Sequence, residues 1–540
     1  MKAKVKEMRA KFEAQNHQHG QERPEWAPMD HIQFARRLLL VLFTVTLVGF
    51  WVEIAWDWAH TVDPATGQPV SLLDLRATPA QVRALASSLS GAYGTMIAML
   101  LTFVSLAVPL TANLYTPKLI GLFIRDPINL FVICTAVVLA AHNLLAVSIS
   151  FDKWTAQLPF AVAVLGAVVG WLLVLPYYFY VVSFIDPHTI IHRVHRSLMH
   201  ELNVATTGRR SVANSQQAVD QRIHGLGSVL LRAADRADRD VTLDAVRTHL
   251  MELGRVRQIK PRLPPAFLRV DNDLLAGMAD DAAEILNQKG IWVEHRIAHQ
   301  LVLAFHCVLA KMPDGVSAMA QAVTNVAHQE AQAANTEVFL LLVRTLNSFL
   351  RASITKRDNA AVCDVVHSYK GLARKLLEGH AQLVPALGEH LRYYADYARV
   401  QGLPFIYERM SYELCELVEM ADLHGHDAAT ALLDYVLNMA DVASYPGLVK
   451  SRAVLGAYFS LQGRTGPLER VLHSLQTVPP ALLVQARADI LAVSERLFWE
   501  VNYHGVNFDY VEPERRARVA ALLSQAAGAA PTPHDAKFGT

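Results

Sequence analysis

The chain has 540 residues, of which 52% are hydrophobic and 18% are charged, and its formal net charge is +1. This composition is too apolar for a disordered chain, and a net charge near zero does not favour a nucleic-acid partner. There is no C-x-x-C pair among the cysteines, which are Cys134, Cys307, Cys363 and Cys415. A disulfide framework or a zinc ribbon is therefore not expected, and a reducing compartment fits the sequence.

Four runs without charged residues occur in the first part of the chain, at 38–52, 84–117, 127–151 and 154–185. A helix needs about 20 apolar residues to cross a bilayer. The last three runs meet this length, and apolar residues that follow Glu53 extend the first. The first run follows a long polar leader without a cleavage pattern, which is typical of an uncleaved anchor. The sequence therefore predicts a four-helix transmembrane domain over residues 37–186, with no comparable run after it.

The distribution of cations predicts the orientation of these spans. Residues 1–36 form a basic segment, and the segment 57–90 has only two cations. The chain after the fourth run again carries several arginines, namely Arg193, Arg196, Arg209 and Arg210. Because cytoplasmic loops carry an excess of Lys and Arg, both termini are predicted to be cytoplasmic and the segment 57–90 external. We expect a multi-pass protein of the bacterial inner (plasma) membrane, in contact with the lipid bilayer.

The segment 116–127 connects the second and third runs and is predicted to be a cytoplasmic elbow. Thr116 can cap a short helix that begins at Pro117, and the helix must end before Pro127. Such an apolar helix can lie among the lipid headgroups, and the alternative is a gate or coupling helix at a pore mouth. The candidates for gating or coupling are Pro109, Thr116, Pro117, Lys118, Arg125 and Asp126.

Four polar residues within the spans are candidates for the lining of a pore. Thr102, Ser105 and Asn113 recur in the second run at intervals of three and eight, and His142 lies in the third run. An ionisable side chain at that depth should face the bundle interior or an aqueous cavity. Ordinary hydrogen bonding between helices is the alternative for all four residues. The second run is also longer than a straight span requires, so its helix projects from the bilayer, tilts, or breaks at Pro109.

Small residues predict close helix packing in the fourth run. Gly166 and Gly170 form a G-x-x-x-G pattern, which allows helices to approach closely within one chain or between chains.

Three histidines follow the fourth run on one helical face. His188, His192 and His195 could bind a metal or sense pH. They are weak metal candidates because no carboxylate lies at a matching offset as a fourth ligand. A solvated or headgroup-facing surface is the preferred interpretation, and neither a metal nor a cofactor is expected.

The remainder of the chain has a helical pattern. Apolar residues recur every three or four positions, and Pro and Gly interrupt the pattern at short intervals. This pattern predicts a cytoplasmic all-helical domain over residues 187–525, built from stacked helical hairpins like an α-solenoid. The final residues, 526–540, are expected to be a disordered tail. The predicted fold class is thus an all-α integral membrane protein with four transmembrane helices and a large cytoplasmic α-solenoid-like domain.

The segment FVSLAVPLTANLYTPKLIGLFIRDPINLFVICTAVVLAAHNLLA carries a family resemblance. Its Tyr-Thr-Pro-Lys-Leu motif at 115–119 and its Phe-Ile-Arg-Asp motif at 123–126 lie between two apolar spans. The segment resembles the bacterial predicted membrane proteins called domain of unknown function 2254. The resemblance is expected to extend over residues 37 to about 440, and it implies a membrane topology without implying an activity.

Two hypotheses for the function follow from these patterns. There is no H-E-x-x-H, P-loop, G-x-S-x-G or G-x-G-x-x-G motif in the sequence, so an enzyme is not expected. The first hypothesis is a homo-oligomeric membrane protein whose spans form an ion pore that the cytoplasmic helices regulate. The alternative is a non-conducting, membrane-anchored scaffold or sensor that binds a cytoplasmic protein partner through its helical domain.

Overall fold

The computed structural model describes residues 28–61, 79–114, 126–148, 157–271, 274–275, 277–497 and 507–528. Within these ranges the regular structure consists of α-helices and four short 3-10 helices, and no β-strand is present. The predicted all-helical class is therefore confirmed for this part of the chain. Most of the predicted elbow, including Thr116, Pro117, Lys118 and Arg125, lies outside the described residues. So do residues 1–27 of the basic segment and residues 529–540 of the predicted tail.

The chain divides into two compact units, residues 1–186 and 187–540. The N-terminal unit contains four long helices: α1 (Pro28–Thr61), α2 (Pro79–Leu114), α3 (Pro127–Ser148) and α4 (Gln157–Ile185). Helix α3 packs against the other three, and α4 also packs against α1 and α2. Helix α2 continues through Pro109, so of the three alternatives for this run a break at Pro109 is not observed.

The core of the N-terminal unit lies between α2, α3 and α4. It is apolar apart from two tyrosine hydroxyls, and its buried side chains include Tyr93, Met96, Leu100, Val132, Ala136, Ala167, Val174 and Tyr177. Each of the four helices contains a stretch that is long and apolar enough to cross a membrane. At most 39% of each stretch is buried within the unit, so the four helices present much apolar surface to their surroundings, as membrane-spanning helices do.

The C-terminal unit contains a fifth helix of comparable hydropathy, which was not expected from the sequence. This helix, Thr336–Thr355, is 61% buried among its neighbours. Phe349 on it stacks on Phe305 of another helix with ring centroids 4.0 Å apart. Its apolar side chains therefore fill the core of a helical domain, which explains the hydropathy without a membrane.

The C-terminal unit contains fifteen α-helices in the described ranges. They are α5 (Pro187–Thr206), α6 (Val212–Asp235), α7 (Arg239–Ile259), α8 (Asp280–Lys289), α9 (Trp292–Lys311), α10 (Pro313–Gln332), α11 (Thr336–Thr355), α12 (Asn359–Leu377), α13 (Val384–Val400), α14 (Pro404–Leu423), α15 (Ala428–Leu437), α16 (Pro446–Leu461), α17 (Thr465–Gln476), α18 (Pro480–Ala492) and α19 (Pro513–Ala526). Short 3-10 helices lie at Lys260–Arg262, Pro265–Leu268, Ala381–Leu383 and Val442–Ser444.

From α9 onward, each helix packs against the next helix but one, and most helices also pack against the next helix. Thus α9, α11, α13, α15 and α17 contact one another in series, and so do α10, α12, α14 and α16. Short turns make this arrangement possible. Gly402 has a φ of +72° between α13 and α14, a conformation that glycine adopts without strain. Asp358 caps α12 by accepting a hydrogen bond from the Ala361 amide at 3.0 Å, which satisfies one free amide at the helix start.

Candidate functional site

One face of α2 in the N-terminal unit carries small and hydroxyl-bearing side chains. The exposed positions follow a spacing of three and four residues, which keeps them on one side of the helix. This α2 face consists of Ser88, Gly91, Thr95, Ala98, Thr102 and Ser105. The structure thus places the predicted lining residues Thr102 and Ser105 on a common exposed surface, whereas the side chains of Pro109 and Asn113 lie outside its description.

The neighbouring helices have a different outer surface. Helix α1 exposes large apolar side chains such as Phe43 and Trp51, and α4 exposes Leu165, Leu172 and Phe179. Large apolar side chains suit contact with lipid tails, whereas small residues are typical where helices approach one another closely. The α2 face is therefore chemically distinct from the rest of the outer surface of this unit.

Three of the hydroxyl groups on the α2 face, those of Ser88, Thr95 and Thr102, are satisfied by their own helix. Thr102 Oγ1 donates to the Ala98 carbonyl at 2.7 Å, and Thr95 Oγ1 donates to the Gly91 carbonyl at 3.0 Å. A hydroxyl that donates its proton in this way keeps lone pairs that can accept a hydrogen bond or coordinate a cation. At Gly91, an added Cβ would meet no atom within 4 Å, so a second helix would have room to approach.

His142 is not part of the α2 face. It is buried, and its Nε2 lies 2.7 Å from Oε2 of Glu53 on α1. Phe50, one turn before Glu53, packs edge-on against the imidazole ring with centroids 5.4 Å apart. The pairing meets the expectation that an ionisable side chain at this depth faces a partner within the bundle.

Three further polar residues surround this pair and complete a polar cluster, defined as Glu53, Asp57, Ser90, His142 and Asn143. Asn143 Nδ2 donates to Ser90 Oγ at 2.8 Å, and Asp57 Oδ1 accepts from the Leu158 amide of α4 at 3.4 Å. The cluster lies where α1 ends, α2 begins, α3 ends and α4 begins, so it ties together all four helices at one end of the unit.

Two atoms of the polar cluster are buried without a hydrogen-bond partner among the described residues. They are His142 Nδ1 and Asn143 Oδ1. A buried polar atom without a partner is costly, so these atoms mark a place where a proton or a water molecule would be accommodated.

A second polar contact lies at the opposite end of the same helices. Tyr177 on α4 donates to Oδ1 of Asn129 on α3 at 2.5 Å. From Asn129 to His142, α3 rises by about 20 Å at 1.5 Å per residue. The intervening core is apolar. Within one chain, the polar cluster is therefore separated from the Tyr177–Asn129 contact by a layer of apolar side chains.

The predicted packing glycines lie against neighbouring helices of the same chain. A Cβ on Gly166 would lie 2.7 Å from Leu139 Cδ2 and 2.8 Å from Tyr93 Oη, and one on Gly170 would lie 2.6 Å from Met96 Sδ. All three distances are shorter than real Cβ contacts, so a larger residue at either position would displace the side-chain ends that these glycines face. The G-x-x-x-G pattern thus takes part in packing within one chain, and its use in packing between chains stays a prediction.

The three histidines of α5 do not share one environment. His188 Nδ1 lies 2.7 Å from Asp244 of α7, and His195 Nδ1 lies 3.5 Å from Glu252 of α7. His192 is exposed. No group of three or more metal-ligating side chains occurs in the part of the chain that the structure describes. The carboxylates that approach these histidines come from another helix, so no offset along α5 could reveal them.

Three partners of the polar cluster were missed in the sequence. Glu53 was assigned to the membrane edge, and Ser90 and Asp57 were assigned to an external segment. Asp57 is buried, and its position between two tryptophans in the sequence was a signal that could have identified it. The pairing itself joins residues that are 89 positions apart, which no local pattern specifies.

Comparison with known proteins gives limited further information. A circular tandem repeat protein, described as having a novel repeat topology and enhanced subunit contact surfaces, aligns with 11% identity and a TM-score of 0.30, over 81% of this chain and 97% of that chain. No similar sequence is found among curated proteins. The family model "Predicted membrane protein (DUF2254)" matches residues 33–239, a shorter range than expected, and this match confirms the family that the sequence resembles.

Proposed function

We propose that this protein is a homo-oligomeric inner-membrane protein in which the α2 faces of several copies line an ion path. In this proposal α1 to α4 span the membrane, both termini are cytoplasmic, and the C-terminal unit is an α-solenoid-like domain that regulates the path. The chain is assigned no catalytic role.

The observation that carries the proposal is the composition of the α2 face. A lipid-facing helix gains nothing by exposing Ser, Thr and Gly where its neighbours expose Leu, Val and Phe. A face of hydroxyl-bearing residues that are satisfied within the helix can contact another copy or water without leaving a polar group unpaired. The free lone pairs of Thr102 point to a path that accepts cations or water rather than anions.

The polar cluster has a regulatory role in this proposal. His142 and Glu53 join α1 to α3, and the charge of an imidazole depends on its protonation. Protonation of His142 would strengthen its pairing with Glu53, which would alter how α3 holds α2. A change of ion flux with pH is therefore expected, although neither residue lies on the α2 face.

Cysteine accessibility tests the path directly. After replacement of the four native cysteines, Thr102→Cys and Ser105→Cys are each compared with Leu172→Cys, a matched position on α4 that is 70% exposed. Purified proteins in liposomes are treated with a small water-soluble thiol reagent while ion flux is recorded. We expect labelling and loss of flux at the two α2 positions and no labelling at the α4 position, because a lipid-facing thiol is not reached from water. Absence of labelling at both α2 positions in folded protein would contradict the proposal.

The alternative function is a scaffold that binds a protein partner through the C-terminal unit. It is favoured by an exposed aromatic surface on α13, where Tyr393 accepts a hydrogen bond from Arg351 at 3.1 Å and the same guanidinium lies 4.9 Å from the Tyr397 ring centroid. Exposed aromatic and arginine side chains are enriched at protein interfaces. A scaffold predicts no ion flux above that of empty liposomes and no labelling at Thr102 or Ser105.

A further inference from the structure

Helix α5 presents a row of basic side chains at intervals of four residues. The row, called the α5 row, consists of His188, His192, Arg196 and His200, and all four are exposed. A four-residue interval keeps successive side chains close to one line on the helix surface. The structure therefore replaces the predicted face of His188, His192 and His195 with a longer one, from which His195 is absent because it turns toward α7.

The acidic side chains near α5 are engaged by other residues or by His188 at the start of the row. Glu201, the acidic residue of α5 itself, is buried and accepts from Arg210 at 2.8 Å, with Arg222 of α6 at 3.8 Å. On α7, Asp244 pairs with His188, and Glu252 is fully buried between His195 and His249. Burial alone would raise the pKa of Glu252, but the charges and hydrogen bonds of the two histidines outweigh burial and lower the pKa. Glu252 therefore stays ionised and paired with these two histidines.

The consequence is that no nearby carboxylate among the described residues balances the basic charge of the row beyond His188. In the described part of the chain, no carboxylate is paired with His192, Arg196 or His200. The charged groups of the helices packed on α5 that pair with α5 side chains are Asp244 and Glu252 of α7 and Arg222 of α6. His249 of α7 pairs with Glu252. Of these, only Asp244 reaches a member of the row. At pH values where the imidazoles are charged, the row carries several positive charges over about 18 Å of helix.

The place of the row in the chain points to its ligand. Helix α5 begins at Pro187, and α4, the last proposed span, ends at Ile185. At 1.5 Å per helical residue, the chain from Ile185 to His192 covers about 10 Å, and the chain to Arg196 and to His200 covers about 16 and 22 Å. The first of these distances is comparable to the Debye length of about 8 Å in physiological salt. Basic residues that follow a membrane span on its cytoplasmic side are attracted by the anionic lipids of that leaflet.

We propose that the α5 row binds the phosphate groups of anionic lipids in the leaflet from which α4 emerges, and that this binding is stronger at acidic pH. The proposal rests on the four-span topology of the proposed function. In this proposal α5 connects the C-terminal unit to the bilayer, and the protonation of the imidazoles in the row controls the strength of this contact.

Full-length protein in nanodiscs tests this assignment. The midpoint of thermal unfolding is measured in nanodiscs of phosphatidylcholine alone and in nanodiscs with about one-third phosphatidylglycerol, at pH 6 and pH 8 and at low salt. The triple variant His192→Gln, Arg196→Gln, His200→Gln is compared with a matched control, His306→Gln, Arg374→Gln, His473→Gln, which removes two histidines and one arginine from exposed positions elsewhere in the C-terminal unit.

We expect phosphatidylglycerol to raise the midpoint of the wild type more at pH 6 than at pH 8. The α5 variant should lose at least half of this shift, and the control variant should keep it. An equal shift in the α5 variant, or an equal loss in the control, would overturn the proposal. A comparable shift on adding inorganic phosphate to phosphatidylcholine nanodiscs would also overturn it, since the row would then bind free phosphate rather than lipid.

A reporter fused after Ser215 separates failure of this inference from failure of the topology. A cytoplasmic reading together with no lipid-dependent shift overturns lipid binding and leaves the four-span topology standing. An external reading overturns the topology, and with it the leaflet assignment made here.

Discussion

Protonation of His295 is expected to destabilise the C-terminal unit as the pH falls below 6.5. The imidazole lies on α9, and its Nδ1 is buried without a hydrogen-bond partner among the described residues. Burial, and then the nearby positive charges of His299, Arg296 and Arg344, lower the pKa of His295 from 6.5 to about 4. The protonated form would place a charge and an unsatisfied N–H donor in a site that offers neither an acceptor nor an anion.

The size of the effect follows from linkage between protonation and folding. Because the folded pKa is lowered, the unfolded chain binds the proton more tightly, so stability is complete above pH 6.5 and falls until the pH reaches about 4. Between pH 7 and pH 5 the loss is about 2 kcal/mol, at about 1.4 kcal/mol for each pKa unit. Since part of the ring contacts solvent, screening reduces the expected loss to about 1–2 kcal/mol.

The assay is pulse proteolysis of the full-length protein in detergent over a series of urea concentrations, at pH 7 and at pH 5. His295→Gln removes the titrating group, and His306→Gln removes an exposed histidine from the same helix as a control. The free energy of unfolding of His295→Gln should depend less on pH than that of the wild type, by about 1–2 kcal/mol, whereas the control should match the wild type. An unchanged pH dependence in His295→Gln would refute the assignment of the low pKa to this site.

Three further predictions concern packing. Gly166→Leu should lower the thermal stability in detergent by about 1–3 kcal/mol through overpacking, whereas Gly49→Leu, where an added Cβ meets no atom within 4 Å, should not; equal effects would contradict the close approach at Gly166. The variants Glu53→Ala and His142→Ala, measured singly and together by thermal unfolding in detergent, should be non-additive by about 0.5–3 kcal/mol, and additivity would show that the pair does not interact. Phe349→Ala should cost about 3–5 kcal/mol in the free energy of unfolding, measured by pulse proteolysis, and a cost below about 1 kcal/mol would exclude the stacked contact with its partner ring.

The sequence alone was sufficient to locate the helices of the N-terminal unit and to recognise the family whose model matches residues 33–239. Runs of uncharged residues are local features, and a chain segment without charges over about 20 residues forms a helix whichever neighbours it meets. The same holds for the C-terminal unit, where the three- and four-residue spacing of apolar side chains predicts helices directly. The family match over residues 33–239 includes the motifs at 115–119 and 123–126 from which the resemblance was inferred.

Hydropathy was less informative about where a helix lies. Helix α11 is as apolar as a membrane span by length and composition, and its burial among α9, α10, α12 and α13 depends on contacts that the helix does not encode. Local composition specifies that a surface is apolar, and the tertiary structure decides whether protein or lipid covers it.

The candidate site was also decided by the tertiary structure. The sequence identified Thr102, Ser105 and His142 as one group of polar span residues, but helix packing places the first two on an exposed face and pairs the third with Glu53 on a different helix. His195 likewise follows Glu252 away from the other histidines. The physical reason is the same in each case. Spacing along one helix fixes the angle at which a side chain leaves that helix, whereas its partner depends on the rotation and register of the neighbouring helices, which only the packing of the whole unit sets.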